Sequence, residues 1–575
     1  MLARFLLCLA FVIAGSASTV IAGSTGNLTA AETPGQVGGD TVARLCEEGV
    51  LSGGHVGVMA VRVGRSGAID TIAFYNAQRH FAPASNLKLV TTGAALQALG
   101  PTFRFTTSIG YSGYIDSEGV LHGDVYICGG GDPTLGAKYE SSQEIDSVFG
   151  QWKALLDKAG IRAVEGCVIG DGRVYDAVEA GGDWTVEDIG FYYGAPAHGL
   201  NFYENAIDFS VCPGDTVGEA LILEQVKPQT PWLMLSTPCI TGVSGSGDKL
   251  LYEASTLLPV ASMSGTLAVD KRVTRESVVN HFPEYTCAEQ FCEFLQRREG
   301  TVDQAGAIPI SGGPADVGPG GVIRRDLLLY DEDAVALPAD SLVILGRTFS
   351  PSLSSIITET NHESDNLYAD ALLKTLGLRL GGSSSFAASL AAEKSVLAGI
   401  LDGGASTAAA VAGVGSSGAG SAVGDGLDGI QIVDGSGLSR RNFLTPAFMV
   451  SFLKAMGGSP DFDIFLQSLP QPGRGTLTPR LRSASESVRR RIYMKSGSMD
   501  GVRCFSGYIL PAGHTAGSTA SPTAGAGSRT QAGSSLAAGR LPEGTVVFSV
   551  FTGDITGPSA AAYSAIDRII LELAR

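Results

Sequence analysis

The chain has 575 residues, of which 44% are hydrophobic and 17% charged, enough apolar material for about three or four domains. Its 77 glycines and 25 prolines stay below the share that marks low-complexity chains, which predicts a globular protein. Acidic residues outnumber basic ones by 57 to 40, and the net charge of −17, without an extended Lys/Arg-rich block, argues against a nucleic-acid partner.

The first 22 residues have the layout of a secretory signal. They carry one basic residue, Arg4, then an apolar run from Phe5 to Ala14, and end in small residues at Ala22. The alternative, a membrane anchor, needs about 20 continuous apolar residues, and this run has only about ten. We therefore predict that residues 1–22 are removed, that the mature chain has no membrane span, and that it is periplasmic or otherwise extracytoplasmic.

Eight cysteines follow this segment, and an exported chain with eight cysteines can form up to four disulfides. Buried free thiols are the alternative. Cys287 and Cys292 are not expected to pair, because they lie about 140° apart on a predicted helix over 286–297. Neither a C-x-x-C nor an H-x-x-x-H spacing occurs, so we predict no metal site and no cofactor.

The two ends of the chain carry the elements of one predicted sheet with its helices. Near the amino end we predict a helix, two strands and a second helix, over 41–49, 55–63, 69–75 and 85–99. Near the carboxyl end we predict three strands and an amphipathic helix, over 491–495, 503–510, 545–551 and 560–574.

The region between these ends has a different character. From 108 to 325, short strands such as 119–129 and 206–212 are separated by Gly, Pro and Asp, which predicts a β-rich insert of one or two subdomains. The flanking parts, 40–107 and 326–575, would then form one domain. Two stretches without periodicity, rich in Gly, Ala, Ser and Thr, are predicted to be flexible loops, over 402–428 and 511–540.

A Ser-x-x-Lys sequence, Ser85-Asn-Leu-Lys88, opens the helix predicted over 85–99. This spacing puts both side chains on one helix face, and serine becomes a good nucleophile only beside a base. A lysine acts as that base if its pKa falls from about 10.4 toward 7, which calls for desolvation and a second cation nearby. Alone the motif is weak, because Ser85 could simply cap the helix, and Ser246-Gly-Asp-Lys249 repeats the spacing without a helical pattern.

Two further motifs follow in a meaningful order. Ser364-Asp-Asn366 opens a helical pattern, where helix capping is again the alternative, and Lys495-Ser-Gly-Ser498 ends a predicted strand. The order S-x-x-K, S-x-N, K-[ST]-G is the known set of serine acyl-enzymes that bind penicillin. Lys495 also supplies the second cation that Lys88 requires.

The wider sequence resembles one family of such enzymes. The stretches that carry the resemblance are 83–90, 364–369, 434–439 (Asp-Gly-Ser-Gly-Leu-Ser) and 475–477, with 129–135 and 193–205 in the insert. They are similar to the D-alanyl-D-alanine carboxypeptidase/endopeptidase family of low-molecular-mass penicillin-binding proteins (class C, peptidase family S13), from about residue 40 to 570. One departure is Ser496, where the family usually has threonine. Because the hydroxyl is kept, we expect activity to survive.

The resemblance implies an α/β (α+β) penicillin-binding transpeptidase-like fold, with an antiparallel sheet flanked by helices, a helical lobe and β-rich inserted subdomains. It implies a serine DD-carboxypeptidase that cleaves the terminal D-Ala-D-Ala of peptidoglycan stem peptides through an acyl-enzyme. Cross-links are further substrates, which would make it a DD-endopeptidase, and β-lactam antibiotics are covalent inhibitors.

The resemblance also assigns roles to the motif residues. Ser85 would be the nucleophile and Lys88 its proton acceptor, with the oxyanion held by the backbone N–H groups of Ser85 and Ser498. Ser364 and Lys495 would relay a proton to the leaving D-Ala. The substrate amide would bind Asn366, and the remaining substrate contacts would come from Ser496, Gly497 and Ser498.

Three alternatives remain beside this interpretation. A catalytically inactive wall-binding scaffold would be free to lose Lys88 or Lys495, but both are present. A single-domain serine β-lactamase leaves no room for the long segment between Ser85 and Ser364. A Ser-His-Asp hydrolase is disfavoured because the sequence has no G-x-S-x-G elbow.

Overall fold

The computed structural model describes residues 36–139, 142–176, 181, 184–296, 322–323, 342–402, 427, 429–514 and 541–575. The predicted signal, residues 1–22, and most of the predicted loops over 402–428 and 511–540 lie outside these ranges. Across the part of the chain described, every helix is too short or too polar to cross a bilayer.

The strands, in chain order, are β1 His55–Val63, β2 Ile69–Tyr75, β3 Thr106–Tyr111, β4 Tyr114–Ile115, β5 Val120–His122, β6 Val125–Cys128, β7 Ala163–Glu165, β8 Val168–Asp171, β9 Ala206–Cys212, β10 Ile222–Lys227, β11 Met234–Ser236, β12 Ile240–Gly242, β13 Asp248–Ala254, β14 Val260–Ala268, β15 Thr274–Val279, β16 Val322–Ile323, β17 Val343–Phe349, β18 Ile492–Met499, β19 Val502–Ile509 and β20 Val546–Gly553. The α-helices are α1 Gln36–Cys46, α2 Leu87–Leu99, α3 Ile145–Lys158, α4 Val186–Ile189, α5 Pro283–Gln296, α6 Leu353–Glu363, α7 Asn366–Leu376, α8 Phe386–Leu401, α9 Pro446–Met456, α10 Phe462–Gln467, α11 Glu486–Arg489 and α12 Ser559–Leu573.

One five-stranded sheet is built from both ends of the chain, in the order β18-β19-β20-β1-β2 and antiparallel throughout. Apolar side chains project from both faces of this sheet. In β20, Val546, Phe548 and Val550 point to one hydrophobic core, and Val547 and Phe551 point to the other. A strand covered on both faces reads in the sequence as a continuous apolar run, which is how this strand could be recognised.

Helices cover the two faces of this sheet. One core packs the sheet against α1 and α12, and the other packs it against a lobe that includes α2, α6, α7, α8 and α9. The predicted fold, an antiparallel sheet between helices with a helical lobe, is therefore confirmed.

Local signals set where the lobe helices begin. Asp365 caps α7 by accepting a hydrogen bond from the backbone N–H of Tyr368 at 3.0 Å. Thr445 caps α9 in the same way, and Pro446 occupies the first position of that helix, where its missing N–H costs nothing. The cap on α7 matters for the site, because it fixes the helix start directly beside Ser364 and Asn366.

The insert has two separate hydrophobic cores. One packs the sheet β16-β8-β6-β3-β17 against α3 and α5, and the second lies among β9 to β15. Because β17 pairs with β3, the strand Val343–Phe349 belongs to an insert sheet although it follows the predicted boundary at residue 325. We therefore propose that the insert comprises two subdomains and extends to Phe349.

Free thiols are found at all eight cysteines in the described ranges: Cys46, Cys128, Cys167, Cys212, Cys239, Cys287, Cys292 and Cys504. Several are buried, and burial raises the pKa of the Cys46, Cys128 and Cys504 thiols to about 12. In this structure the alternative of protonated thiols holds rather than a disulfide framework.

Candidate active site

Ser85 lies in a short 3-10 turn, Ala84–Asn86, that leads into α2. The turn is tied to the sheet by the buried Asn86, whose Nδ2 donates to the Lys495 and Cys504 carbonyl oxygens at 3.2 and 3.0 Å. Ala84 has a φ of 47°, a left-handed conformation that is uncommon for alanine and occurs where surrounding structure enforces it. Ser85 does not cap α2, so the capping alternative does not describe its role.

Lys88 is fully buried behind Ser85. Its Nζ donates to Ser85 Oγ at 3.0 Å, to Asn366 Oδ1 at 2.5 Å and to the Ser436 carbonyl at 2.7 Å. Burial lowers the pKa of Lys88 to about 8, against the opposing charges of Asp370, Asp434 and Asp365. About one tenth of this amine is therefore unprotonated at pH 7, far more than at an ordinary lysine pKa.

The second motif lies at the junction of α6 and α7. Ser364 ends α6 with a φ of 64°, and this left-handed turn brings its Oγ to 2.8 Å from Lys495 Nζ. Asp365, rather than Ser364, caps α7. Asn366 is engaged on both sides of its amide, since its Oδ1 accepts from Lys88 and its Nδ2 donates to the Tyr193 carbonyl of the insert at 2.6 Å.

The third motif lies on the edge strand β18. Lys495 is fully buried, and its Nζ also donates to the Ser496 carbonyl at 2.9 Å. Burial and the nearby positive charge of Lys88 hold the pKa of Lys495 well below its ordinary value, with Glu363 opposing. The positive charge of Lys88 thus disfavours the charged form of Lys495, whereas the pKa of Lys88 itself is lowered by burial.

The hydroxyl groups after Lys495 have protein partners. Ser496 Oγ donates to Thr476 Oγ1 at 2.9 Å, and the exposed Ser498 Oγ accepts from the Tyr563 hydroxyl at 3.3 Å. These contacts orient two hydroxyls along the outer face of β18.

Glycine is required at position 497 for a structural reason that the sequence analysis did not identify. A Cβ at this position would lie 2.7 Å from the Pro83 carbonyl oxygen and 2.9 Å from the Asn86 backbone nitrogen. The close approach that requires glycine is therefore that of the protein's own turn beside Ser85, whereas the sequence analysis named Gly497 only as a substrate contact.

A fourth element, the loop 434–439, supports Lys88 from behind. The buried Asp434 carboxylate accepts from the backbone N–H groups of Gly437 and Ser439 at 2.8 and 2.7 Å and from the Trp184 indole of the insert at 2.9 Å. Gly437 has a φ of 82°, and a Cβ there would lie 2.0 Å from the Ala84 carbonyl oxygen.

Asp370 anchors the same loop from α7. Its Oδ1 accepts from the Gly435 N–H at 2.7 Å, next to the Ser436 carbonyl that faces Lys88. In the sequence analysis, residues 434–439 only support the family resemblance, and no role is assigned to them. The single available signal for Asp370 was its position one helical turn after Asn366.

The three predicted motifs open onto one cleft of about 770 Å³, whose lining includes Ser85, Ser364, Ser496 and Ser498. Lys88, Asn366, Lys495 and Gly497 lie directly behind these residues, so all eight predicted site residues come together. The second Ser-x-x-Lys sequence does not join them. Ser246 lies in the turn between β12 and β13 of the insert, and Lys249 is an exposed residue of β13.

Curated relatives align with this chain over most of its length. The D-alanyl-D-alanine carboxypeptidase of Actinomadura sp. (strain R39) is 27% identical over 486 residues, which cover 82% of this chain and 78% of that protein. The D-alanyl-D-alanine carboxypeptidase DacB of Haemophilus influenzae is 23% identical over 471 residues, covering 80% and 83% of the two chains.

A solved structure shows the same fold. The crystal structure of penicillin binding protein 4 (dacB) from Haemophilus influenzae superposes with a TM-score of 0.65 at 20% identity, covering 93% of this chain and 97% of that chain. The sequence model described as the D-Ala-D-Ala carboxypeptidase 3 (S13) family matches residues 40–312 and 402–520, more than half of the chain. Taken with the joined motifs, this match means that the chain belongs to the S13 family and is a serine-type D-Ala-D-Ala carboxypeptidase.

Proposed function

We propose that this enzyme hydrolyses the terminal D-Ala-D-Ala bond of peptidoglycan stem peptides, with Ser85 as its nucleophile. The observation that carries the proposal is the 3.0 Å contact between Ser85 Oγ and the fully buried amine of Lys88. A serine hydroxyl paired with an amine of lowered pKa is what acyl transfer requires.

In the acylation step, Ser85 Oγ forms a bond to the carbonyl carbon of the penultimate D-Ala, and Lys88 Nζ takes the hydroxyl proton. Proton transfer of this kind contributes about 10²–10⁴-fold to the rate. The negative charge on the carbonyl oxygen is received by the backbone N–H groups of Ser85 and Ser498, each such donor being worth about 2.7–4 kcal/mol.

The C–N bond to the terminal D-Ala then breaks, and its nitrogen needs a proton. Ser364 Oγ, held by Lys495 Nζ at 2.8 Å, donates that proton. The proton that Lys88 accepted then replaces the one that Ser364 gave up, so Ser364 and Lys495 return to their starting protonation state. Water releases the peptide from Ser85 by the same steps in reverse order.

Substrate binding uses the outer face of β18 and α7. Ser496 and Ser498 hold the terminal carboxylate, with Lys495 behind them. Asn366 uses one N–H for the Tyr193 carbonyl, and its amide has a second N–H that binds the substrate carbonyl. Penicillins acylate Ser85 and leave slowly, and a complex of the Haemophilus influenzae protein with a β-lactam supports this expectation.

Stem peptides lie outside the cytoplasm, so the proposed substrate places the enzyme in the periplasm or another extracytoplasmic compartment. Support comes from the signal-like layout of residues 1–22.

The test is covalent labelling of the purified protein by a fluorescent penicillin, followed by release of free D-Ala from a monomeric pentapeptide. Wild type should label and release D-Ala, and Ser85→Ala should do neither. Ser246→Ala is the matched control and should behave as wild type. Equal labelling of Ser85→Ala, or an inert wild type, would overturn the assignment.

A further inference from the structure

The segment 475–477, Gly-Thr-Leu, carries part of the family resemblance, and the proposed mechanism gives it no role. In the structure it forms a short 3-10 turn. Its middle residue, Thr476, lines the catalytic cleft beside Ser496 and Ser498. Thr476 is therefore within reach of a bound substrate.

The position of this turn is fixed from two sides. Leu477 is buried in the core that packs the sheet against α1 and α12. Gly475 has a φ of 48°, and a Cβ there would lie 2.5 Å from the carbonyl oxygen of His362, two residues before Ser364. The turn is therefore pressed against the helix that leads into the second motif. Because the Thr476 hydroxyl is in place before a substrate arrives, the cost of binding is reduced.

The directions of the hydrogen bonds decide which hydroxyls beside β18 can still donate. A carboxylate only accepts hydrogen bonds, so each group that holds it must present a hydrogen. Ser496 Oγ donates to Thr476 Oγ1 at 2.9 Å, and the hydrogen of Thr476 has no protein acceptor among the residues that the structure describes. Ser498 Oγ accepts from the Tyr563 hydroxyl at 3.3 Å, so the hydrogen of Ser498 is also available. The two hydroxyls that can donate to a carboxylate are therefore those of Thr476 and Ser498.

We propose that Thr476 is a further substrate-binding residue, whose hydroxyl donates a hydrogen bond to the terminal carboxylate of the D-Ala-D-Ala peptide. This inference rests on the proposed function and deepens it, because Ser496 then holds the carboxylate through Thr476, whereas Ser498 holds it directly. A serine at position 496 also lacks the methyl group that stiffens the rotamer of a threonine. The hydrogen bond to Thr476 therefore orients the Ser496 hydroxyl in this chain.

The experiment substitutes Thr476 in the whole enzyme and measures the rates of penicillin labelling and of D-Ala release from a monomeric pentapeptide. Thr476→Val removes the hydroxyl and keeps the branched shape, so both rates should fall about tenfold. This is the lower end of what a hydrogen bond to a charged group contributes, because the freed Ser496 hydroxyl can turn toward the carboxylate. Thr476→Ser keeps the hydroxyl and should stay within about threefold of wild type. Thr478→Val is the matched control: it removes an exposed hydrogen bond to the Gly475 carbonyl in the same turn and should change neither rate by more than about twofold.

A second measurement tests which part of the substrate Thr476 contacts. Protection against penicillin labelling reports the binding of a D-Ala-D-Ala peptide and of its C-terminal amide, without requiring turnover. Thr476→Val should raise the half-protecting concentration of the acid about tenfold. For the amide the change should stay below about threefold, because a neutral carbonyl accepts a weaker hydrogen bond than a carboxylate does.

The outcomes separate the two proposals. Rates of Thr476→Val within about threefold of wild type, a Thr476→Ser variant as slow as Thr476→Val, or equal changes for acid and amide would overturn the carboxylate contact. A wild type that neither labels nor releases D-Ala would overturn the proposed function, and the role of Thr476 with it. Circular dichroism reports whether each variant is folded, and Thr476→Ala carries the same expectations if Thr476→Val is not.

Discussion

The buried position of Lys88 predicts a steep pH dependence of acylation between pH 7 and pH 9. With its pKa lowered to about 8, the unprotonated fraction is about one tenth at pH 7 and about nine tenths at pH 9. The second-order rate constant for penicillin acylation should therefore rise about tenfold over this interval and then level off. At an ordinary lysine pKa, the same amine would be about 300-fold scarcer at pH 7. A flat profile, or a rise that continues to pH 10, would refute Lys88 as the proton acceptor.

The charges around Lys88 allow a sharper version of the same assay. Asp370 raises the pKa of Lys88 through its negative charge, as do Asp434 and Asp365. In Asp370→Asn the amide oxygen can still accept from Gly435, but the charge is gone, so the inflection should move to lower pH.

The control is Glu393→Gln. Glu393 is also buried and lies near Asp370 and Asp434, but it is not among the charges that act on Lys88. Its substitution should leave the inflection in place. Equal shifts in both variants, or a shift to higher pH in Asp370→Asn, would contradict this account of the lysine.

Three further predictions concern the supports of the site. Gly497→Ala places a Cβ 2.7 Å from a backbone oxygen of the Ser85 turn, and a displacement on this scale should slow penicillin labelling by about 100-fold. Tyr139→Phe removes a 2.8 Å hydrogen bond to the buried Asp365, so denaturant unfolding should show a loss of about 1.5–3 kcal/mol, against less than about 0.5 kcal/mol for Tyr75→Phe, which removes an exposed hydrogen bond to Glu47. Ser496→Thr keeps the hydroxyl and stiffens its rotamer, so labelling should stay within about threefold of wild type; a tenfold fall would contradict this.

Elements with a strong local pattern were predictable from the sequence. The strands over 55–63, 69–75 and 206–212 have the same bounds in the structure, because these apolar-rich runs end at turn-forming residues: Gly64, Asn76 and Pro213. The helix predicted over 85–99 starts two residues later, at Leu87, because the turn that carries Ser85 is a 3-10 turn. Such a boundary depends on the sheet packed against it rather than on the helix sequence.

In the active site, too, only features encoded by neighbouring residues were predictable from the sequence. Each motif lies within four consecutive residues, so Ser85, Lys88 and Lys495 could be identified from the local sequence alone. Asp370 could not, because its role comes from a hydrogen bond to Gly435, which is distant in the chain. A buried carboxylate in a helix has no sequence signature that separates this use from any other.

The insert supplies contacts that the catalytic motifs need. Tyr139 donates to Asp365, which caps the helix of the second motif, and Trp184 donates to Asp434, which holds the loop behind Lys88. Both acceptors are buried carboxylates, and an unpaired buried acceptor costs about 1–3 kcal/mol. Without the insert, the chain would have to solvate these groups or rearrange the turn and loop that position the lysine. The insert therefore helps to position the active-site residues. Although it forms its own subdomains, it is not structurally independent of the catalytic domain.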